Sequence, residues 1–409
     1  MFRNADRTST ATVSRVSRYE RLAFSRASWM GHPYTGHLLG VSSVDVRSIG
    51  AGGGSIGRID EMGLLQVGPQ SAGADPGPAC YNKGGNDPTV SDANLVLGYL
   101  NPDGLIGGKL PLNYENAFKS IEEKIAKPLN LSVEKAAYGM FTIVNSNMVN
   151  GIRRVSVERG YDPRDFVLVA AGGATGAHIT ALASEMGINT VIVSKLSSGL
   201  CAYGQIISDV KYNYMATNPV RLNESCDYGK INQLFKDIES KGKEQLKNDG
   251  FDEGVIDVSR SLEMRYLGQI HECTVNIDTF NINSKTIEKV KEAFHKRHEE
   301  LYTYSELQSP IELVNIESTL YGRIDRPSLT EIKSDTQLKD ALKSYRNLIF
   351  SNSGELIKTP VYNGDLLSKG HQIDGPAVVE EDTSTLVIEP GWLLELHKSG
   401  TYIINRKDY

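Results

Sequence analysis

Residues 164–180, RDFVLVAAGGATGAHIT, constrain the fold more than any other stretch of the chain. Phe166–Ala171 is a continuous apolar run, the pattern of a buried strand. Gly172, Gly173 and Gly176 allow a tight turn, and His178–Met186 reads as a helix that Gly187 stops. NTVIVSK at 189–195 then reads as a second strand, parallel to the first. A strand–turn–helix–strand unit of this kind takes a right-handed crossover. The turn itself leaves two readings open. Backbone amides at such a junction can approach an anion or a nucleotide, and tight packing alone also selects glycine there.

The segment before this unit is rich in loops. Residues 47–108 hold GAGGGS at 50–55, GPQSAGADPGPACYNKGG at 68–85 and LNPDGLIGG at 100–108, a density of Gly, Pro, Asp and Asn that specifies turns. Short strands are expected at Val44–Ile49 and Ser55–Asp60, the second followed by a turn at EMG. Tyr114–Ala126 has helical spacing, with Phe118, Ile121 and Ile125 on one face. Ser132 is an N-cap for a long helix that Gly160 ends. Gly139 and Gly151 inside it each predict close approach by another element. Amphipathic helices at 230–250 and 284–303 flank strands at Val258–Arg265 and Glu272–Asp278. From residue 350 onward, short β-like runs separated by Gly and Pro predict a small, mostly β module.

At 409 residues the chain is long enough for two or three domains. Its net charge of −6 argues against a nucleic-acid partner, which needs clustered Lys and Arg. No apolar run approaches the roughly 20 residues of a membrane helix. Cys80, Cys201, Cys226 and Cys273 are far apart and form no CxxC pair, so core thiols in a reducing cytoplasm are expected rather than zinc or disulfides. Residues 1–28 hold six arginines and two acids, a composition that fits a transit peptide or an eroded domain edge.

Three stretches could carry chemistry. AAGGATGAH has the form of a strand-to-helix anion turn but is not GxGxxG and lacks the Walker lysine. SIGAGGGSIG at 48–57 leaves amides and the Ser55 hydroxyl available, or forms a wide turn between strands. Asp75 and Asp92 lie in polar loops where carboxylates could hold Mg²⁺ through water; the alternatives are a turn-initiating Asp before Pro and a helix cap. His295 and His298 in FHKRHEELY share a helix face without a third ligand, which predicts a solvated face instead of a metal site. No GxSxG elbow is present.

DVRSIGAGGGSIGRID…GLLQVGPQSAGADPGPACYNKGG…PTVSDANLVLGYL resembles the second half of the hydantoinase A/5-oxoprolinase family. NSNMVNGIRRVSVERGYDPRDFVLVAAGGATGAH, LEMRYLGQIHECTV and GPAVVEEDTSTLVIEPGW extend the resemblance from about Val44 to the C-terminus. It implies an α/β, actin/hexokinase-like ATPase lobe with a mixed sheet, plus a small β-rich C-terminal module. It also implies ATP with Mg²⁺, a small cyclic amide substrate and a hydantoinase B-type partner subunit. By the same resemblance the nucleotide-binding residues fall at Gly172, Gly173, Ala174, Thr175, Gly176 and His178, the adenosine side, and at Gly52, Gly53, Gly54 and Ser55. Asp75 and Asp92 are the metal candidates. The expected divisions are 1–43, a degenerate edge of the lobe, 44–345, the α/β domain, and 346–409, the β-rich module.

The chain departs from the family pattern at its start. The DxGGTxTD-type phosphate motif aligns with Asn4–Ala11, where Asp6 and Arg7 replace two glycines and Ala11 replaces an aspartate. Side chains there would fill the space where backbone meets phosphate oxygens. The reading is therefore a partial subunit of an ATP-dependent cyclic-amide hydrolase, in the cytoplasm, with a missing N-terminal lobe as a further partner. A subunit of an acetone- or acetophenone-type carboxylase and a non-catalytic remnant or regulatory lobe are the alternatives.

Overall fold

The computed structural model describes residues 48–223, 225–279, 281–327, 331–332 and 336–407, together with the backbone of residues 2–3. Val44–Arg47, the arginine-rich residues 1–28 and the altered motif at Asn4–Ala11 lie outside the described side chains. Two compact units divide the chain: residues 1–201 with 329–409, and residues 202–328.

The first unit contains the predicted crossover. β4 (Phe166–Ala170) and β5 (Thr190–Ser194) pair in parallel, Val169 opposite Ile192, and α5 (Ile179–Met186) joins them. Gly187 closes α5 with φ +68°, as a left-handed C-cap requires. Before this unit run β1 (Phe2–Arg3), the hairpin β2 (Ser55–Ile59)–β3 (Leu65–Ser71), α1 (Val90–Val96), α2 (Tyr114–Ile121), α3 (Lys127–Leu129) and α4 (Val133–Val155). Residues 122–126 link α2 to α3 as a π-helical turn. Ser132 caps α4 by accepting from the Lys135 N–H. Both glycines of α4 mark close approaches: a Cβ on Gly139 would lie 3.3 Å from Leu65, and one on Gly151 2.9 Å from Ile49.

The C-terminal β-runs are shared between two sheets. α6 (Leu200–Ile206) spans the division at 201, the second unit holds β6 (Val210–Arg221), β7 (Ile256–Tyr266), β8 (Cys273–Ile277) and β9 (Ile311–Gly322), and the returning chain begins with β10 (Leu342–Ile349). β11 (Leu356–Asn363), β13 (Ala377–Glu381) and β14 (Ser384–Ile388) complete a four-stranded sheet in the order β10-β11-β13-β14. β12 (Gln372–Asp374), β15 (Trp392–Leu396) and β16 (Thr401–Arg406) instead extend the crossover sheet, in the order β1-β4-β5-β16-β15-β12. The boundary expected at 346 therefore falls inside one compact unit. The physical reason is shared burial, since Trp392, Leu394 and Ile404 lie in the same core as Leu182, Val191 and Val193.

The second unit is an antiparallel sheet, β6 (Val210–Arg221), β9 (Ile311–Gly322), β7 (Ile256–Tyr266) and β8 (Cys273–Ile277) in that order, with α7 (Tyr228–Asn248) and α8 (Ile287–Tyr302). Phe235 and Phe294 from the helices pack with Leu262, Met264 and Leu313 from the strands. His298 is fully buried, not on a solvated face. Its Nδ1 donates to the Tyr304 carbonyl at 2.8 Å, and Nε2 lies 3.1 Å from the Gln269 amide, so tertiary partners override the surface reading. No described helix is long and apolar enough to cross a membrane.

Candidate nucleotide cleft

The chain turns after β4 because Gly172 takes φ +98°, a conformation L side chains resist. Its N–H donates to the Ser197 carbonyl at 2.7 Å, and the Thr175 hydroxyl donates to the Ala171 carbonyl at 2.6 Å. Gly173 and Gly176 are selected by space. A Cβ on Gly173 would sit 2.8 Å from the Thr383 carbonyl oxygen, and one on Gly176 2.5 Å from that of Thr385. The turn therefore lies directly against the β13–β14 hairpin.

The other glycine loop sits beside it. A Cβ on Gly53 would be 3.9 Å from Ala174 Cβ and 2.7 Å from Ser91 Oγ, while Gly52 has nothing within 4 Å. Ser55 is buried, and its hydroxyl is used within the loop, accepting from the Gly52 N–H at 3.0 Å and donating to the Gly50 carbonyl at 3.3 Å. The two glycine segments and the hairpin border one cleft of about 610 Å³ in the first unit. Gly53, Gly54, Gly173 and Ala174 line it, whereas Gly52, Ser55, Gly172, Thr175, Gly176 and His178 do not. Among the described residues, no protein acceptor takes a hydrogen bond from the N–H of Gly53, Gly54, Gly173 or Ala174.

His178 is buried. Its Nδ1 lies 2.7 Å from Asn145 Oδ1, its Nε2 3.0 Å from Asn94 Nδ2, and its ring stacks on Phe141 at 4.8 Å. Burial lowers its pKa to about 4, so the ring is neutral at pH 7. A neutral ring has one donor and one acceptor, which fits Nδ1–H donating to Asn145 and Nε2 accepting from Asn94. Asn94 lines the cleft, and its buried Oδ1 has no hydrogen-bond partner among the described residues.

The two carboxylates predicted for metal have different surroundings. Asp92 is fully buried in a capping box with Thr89 at the start of α1. It accepts from the Ala79, Cys80 and Thr89 N–H groups at 3.3, 2.7 and 2.8 Å and from the Thr89 hydroxyl at 2.7 Å. Three of these donors reach Oδ2 and one reaches Oδ1, a set that fits a loop-fastening role better than direct metal ligation. Asp75 is exposed, and no group of three or more His, Cys, Asp or Glu residues is placed to hold a metal among the described residues. The neighbouring Cys80 thiol is pushed up by burial and by Asp92, which suits an inert core thiol.

Sequence reasoning missed the acidic side of the cleft. Asp365, Glu380, Glu381 and Asp382 line it, with Lys343. Glu380 is paired with Lys343 at 2.7 Å and with Arg346. Glu381 accepts from the Tyr402 hydroxyl and lies 3.5 Å from Lys195 Nζ. The signal available was the Glu-Glu-Asp at the end of an apolar run, VVEED, where charge at a strand end marks the edge of a core.

Residues 8–214 match the Hydantoinase/oxoprolinase family, and residues 223–401 match the Hydantoinase/oxoprolinase C-terminal domain. The chain is 46% identical over 390 residues to the caprolactamase subunit alpha of Pseudomonas jessenii, covering 95% of this chain and 56% of that protein. It is 33% identical over 382 residues to the acetophenone carboxylase gamma subunit of Aromatoleum aromaticum, covering 91% and 52%. The crystal structure of ATP-dependent caprolactamase from Pseudomonas jessenii superimposes with a TM-score of 0.74 at 46% identity, over 89% of this chain and 53% of that one. A nucleotide-free acetone carboxylase structure gives 0.75 at 24% identity, over 87% and 52%, a likeness of fold. The chain spans about half the length of the curated relatives it matches.

Proposed function

The chain belongs to the hydantoinase/oxoprolinase family, and on that premise we propose that it is part of a subunit of an ATP-dependent hydrolase acting on small cyclic amides. The cleft beside Gly53 and Gly173 is its nucleotide site in this reading. The observation that carries it is the set of unclaimed N–H groups on Gly53, Gly54, Gly173 and Ala174, which come from two distant glycine segments and line one cleft. Unclaimed backbone amides bordering one cleft suit phosphate or ribose oxygens. The volume of about 610 Å³ lies in the range of small-molecule sites.

Bound ATP would supply the phosphoryl group that activates an otherwise unreactive amide. The residues of this chain bind and orient: Gly53 and Gly54 offer amides at one end, and Gly173 and Ala174 continue the row toward the hairpin. His178 and Asn145 hold the Asn94 amide in place. Asp92 fastens residues 79–80, next to the lining Pro78, to the start of α1. Mg²⁺ would enter with the nucleotide, and neither Asp75 nor Asp92 fits as its direct ligand. A hydantoinase B-type subunit is the proposed partner, in keeping with relatives that are themselves subunits of larger enzymes.

Calorimetric titration of the chain with Mg-ATP tests the site: micromolar binding supports it, and no binding removes it. The identity to an acetophenone carboxylase subunit favours a second reading, an ATP-dependent carboxylase subunit. Product analysis of the complex with and without bicarbonate separates the two, because only a carboxylase gives a bicarbonate-dependent acid.

A further inference from the structure

The charge of the cleft lining is divided between segments of the chain. The lining residues between 53 and 94 include no ionisable acid or base other than Tyr81, whereas those between 343 and 385 include Asp365, Glu380, Glu381, Asp382 and one cation, Lys343. Asp103 lies in the adjacent loop, which the Gly107 N–H ties to the Asp382 carbonyl at 2.9 Å. Lys343 is committed to Glu380, and Asp103, Asp365 and Asp382 have no ion-pair partner among the described residues. An anion beside Asp365 or Asp382 meets carboxylates without an ion-pair partner among the described residues, whereas one beside Gly53 and Gly54 meets unclaimed N–H groups.

Glu381 is the anchored member of that acidic segment. Its side chain is 8% exposed, and Oε1 accepts from Tyr402, which is 1% exposed. Lys195 lies 3.5 Å from Oε1 and is held by the Gly364 carbonyl. A Cβ on Gly364 would collide with this carboxylate, so glycine keeps the space open. Burial pushes the carboxyl pKa up, and the Tyr402 hydroxyl and Lys195 pull it back down. No hydrogen bond reaches Oε2 among the described residues. A carboxylate oxygen of this kind accepts from an N–H or O–H donor, and the ribose hydroxyls of a nucleotide are such donors.

We propose that the cleft orients its nucleotide by this division, with Glu381 Oε2 accepting from the vicinal hydroxyls of the ribose and the phosphates directed toward Gly53 and Gly54. The inference rests on the reading of the cleft as a nucleotide site. Unmodified chain is titrated with the Mg²⁺ complexes of ATP, 2′,3′-dideoxyATP and inorganic triphosphate, and the series is repeated on Glu381→Gln. DideoxyATP binds the unmodified chain about tenfold to a hundredfold more weakly than ATP, the range for a hydrogen bond to a charged group. Glu381→Gln weakens ATP by a similar factor and leaves dideoxyATP and triphosphate unchanged. Equal binding of ATP and dideoxyATP by the unmodified chain overturns the inference and leaves the site standing, and this arm does not depend on how the variant folds. Equal loss of all three ligands in Glu381→Gln also overturns it. Failure of the unmodified chain to bind any of them overturns the site and the inference together.

Discussion

The two glycine-rich segments look alike in sequence and are used differently. At 172–176, backbone conformation demands Gly172, and the carbonyls of Thr383 and Thr385 exclude any Cβ at Gly173 and Gly176. At 52–54, Gly53 and Gly54 face the hydroxyls of Ser91 and Ser71, side-chain ends that can turn aside, and Gly52 faces open space. Packing thus explains the first set of glycines without any ligand. The second set is only partly explained by the protein itself, which makes it the stronger pointer to something outside. Glycine density alone does not distinguish these cases; what a Cβ would strike does.

The largest expected effect is at Gly176. Gly176→Ala places a methyl against a backbone carbonyl that cannot rotate away, and urea denaturation is expected to show a loss of about 3 kcal/mol. A loss under about 1 kcal/mol would break the contrast between the two segments. Next is the pH response of His178, which follows the same turn. Its folded pKa of about 4 lies below the ordinary 6.5, so its contribution is complete above pH 6.5 and declines as pH falls toward 4. The decline amounts to up to about 3 kcal/mol. Melting curves of His178→Gln should lack that slope, and an unchanged slope would assign it to other groups.

Glu389, just past β14, has the opposite sign. Burial raises its pKa to about 7, so its contribution is complete below pH 4.5 and is lost as pH rises through 7. Glu389→Gln is expected to stabilise the chain by about 2 kcal/mol at pH 8 and to change little at pH 4.5. Equal melting temperatures at pH 8 would show that the carboxylate finds water. The smallest effect is at Gly52, where Ala meets nothing and stability should stay within about 0.5 kcal/mol. A larger loss would mean that the loop also needs glycine for its own fold.

Much of the local architecture was legible. The crossover from Phe166 to Ser194, the cap at Ser132 and the close approaches at Gly139 and Gly151 follow from periodicity, capping and the cost of glycine inside a helix. Others were not. His298 reads as a surface residue because a helix repeat does not say which strand will cover it. The C-terminal strands read as a separate module because short β-runs carry no record of their partners, and Ile403 pairs with Ile192 across more than two hundred residues. The cleft was half legible: its glycines stood out, while its acidic wall depended on a hairpin packed against a turn far from it in sequence.

The sequence by itself determined the family, the order of strands and helices in the crossover, and the turn that Gly172 makes, because those depend on motifs, side-chain patterning and backbone freedom within a few residues. Only the tertiary structure decided which glycines border a cleft, that His178 is hydrogen-bonded to Asn94, and that Glu381 is held by Tyr402 and Lys195. Those facts depend on which distant carbonyls, amides and carboxylates share one space. Burial, hydrogen-bond partners and charge exist only once the chain has brought those groups together.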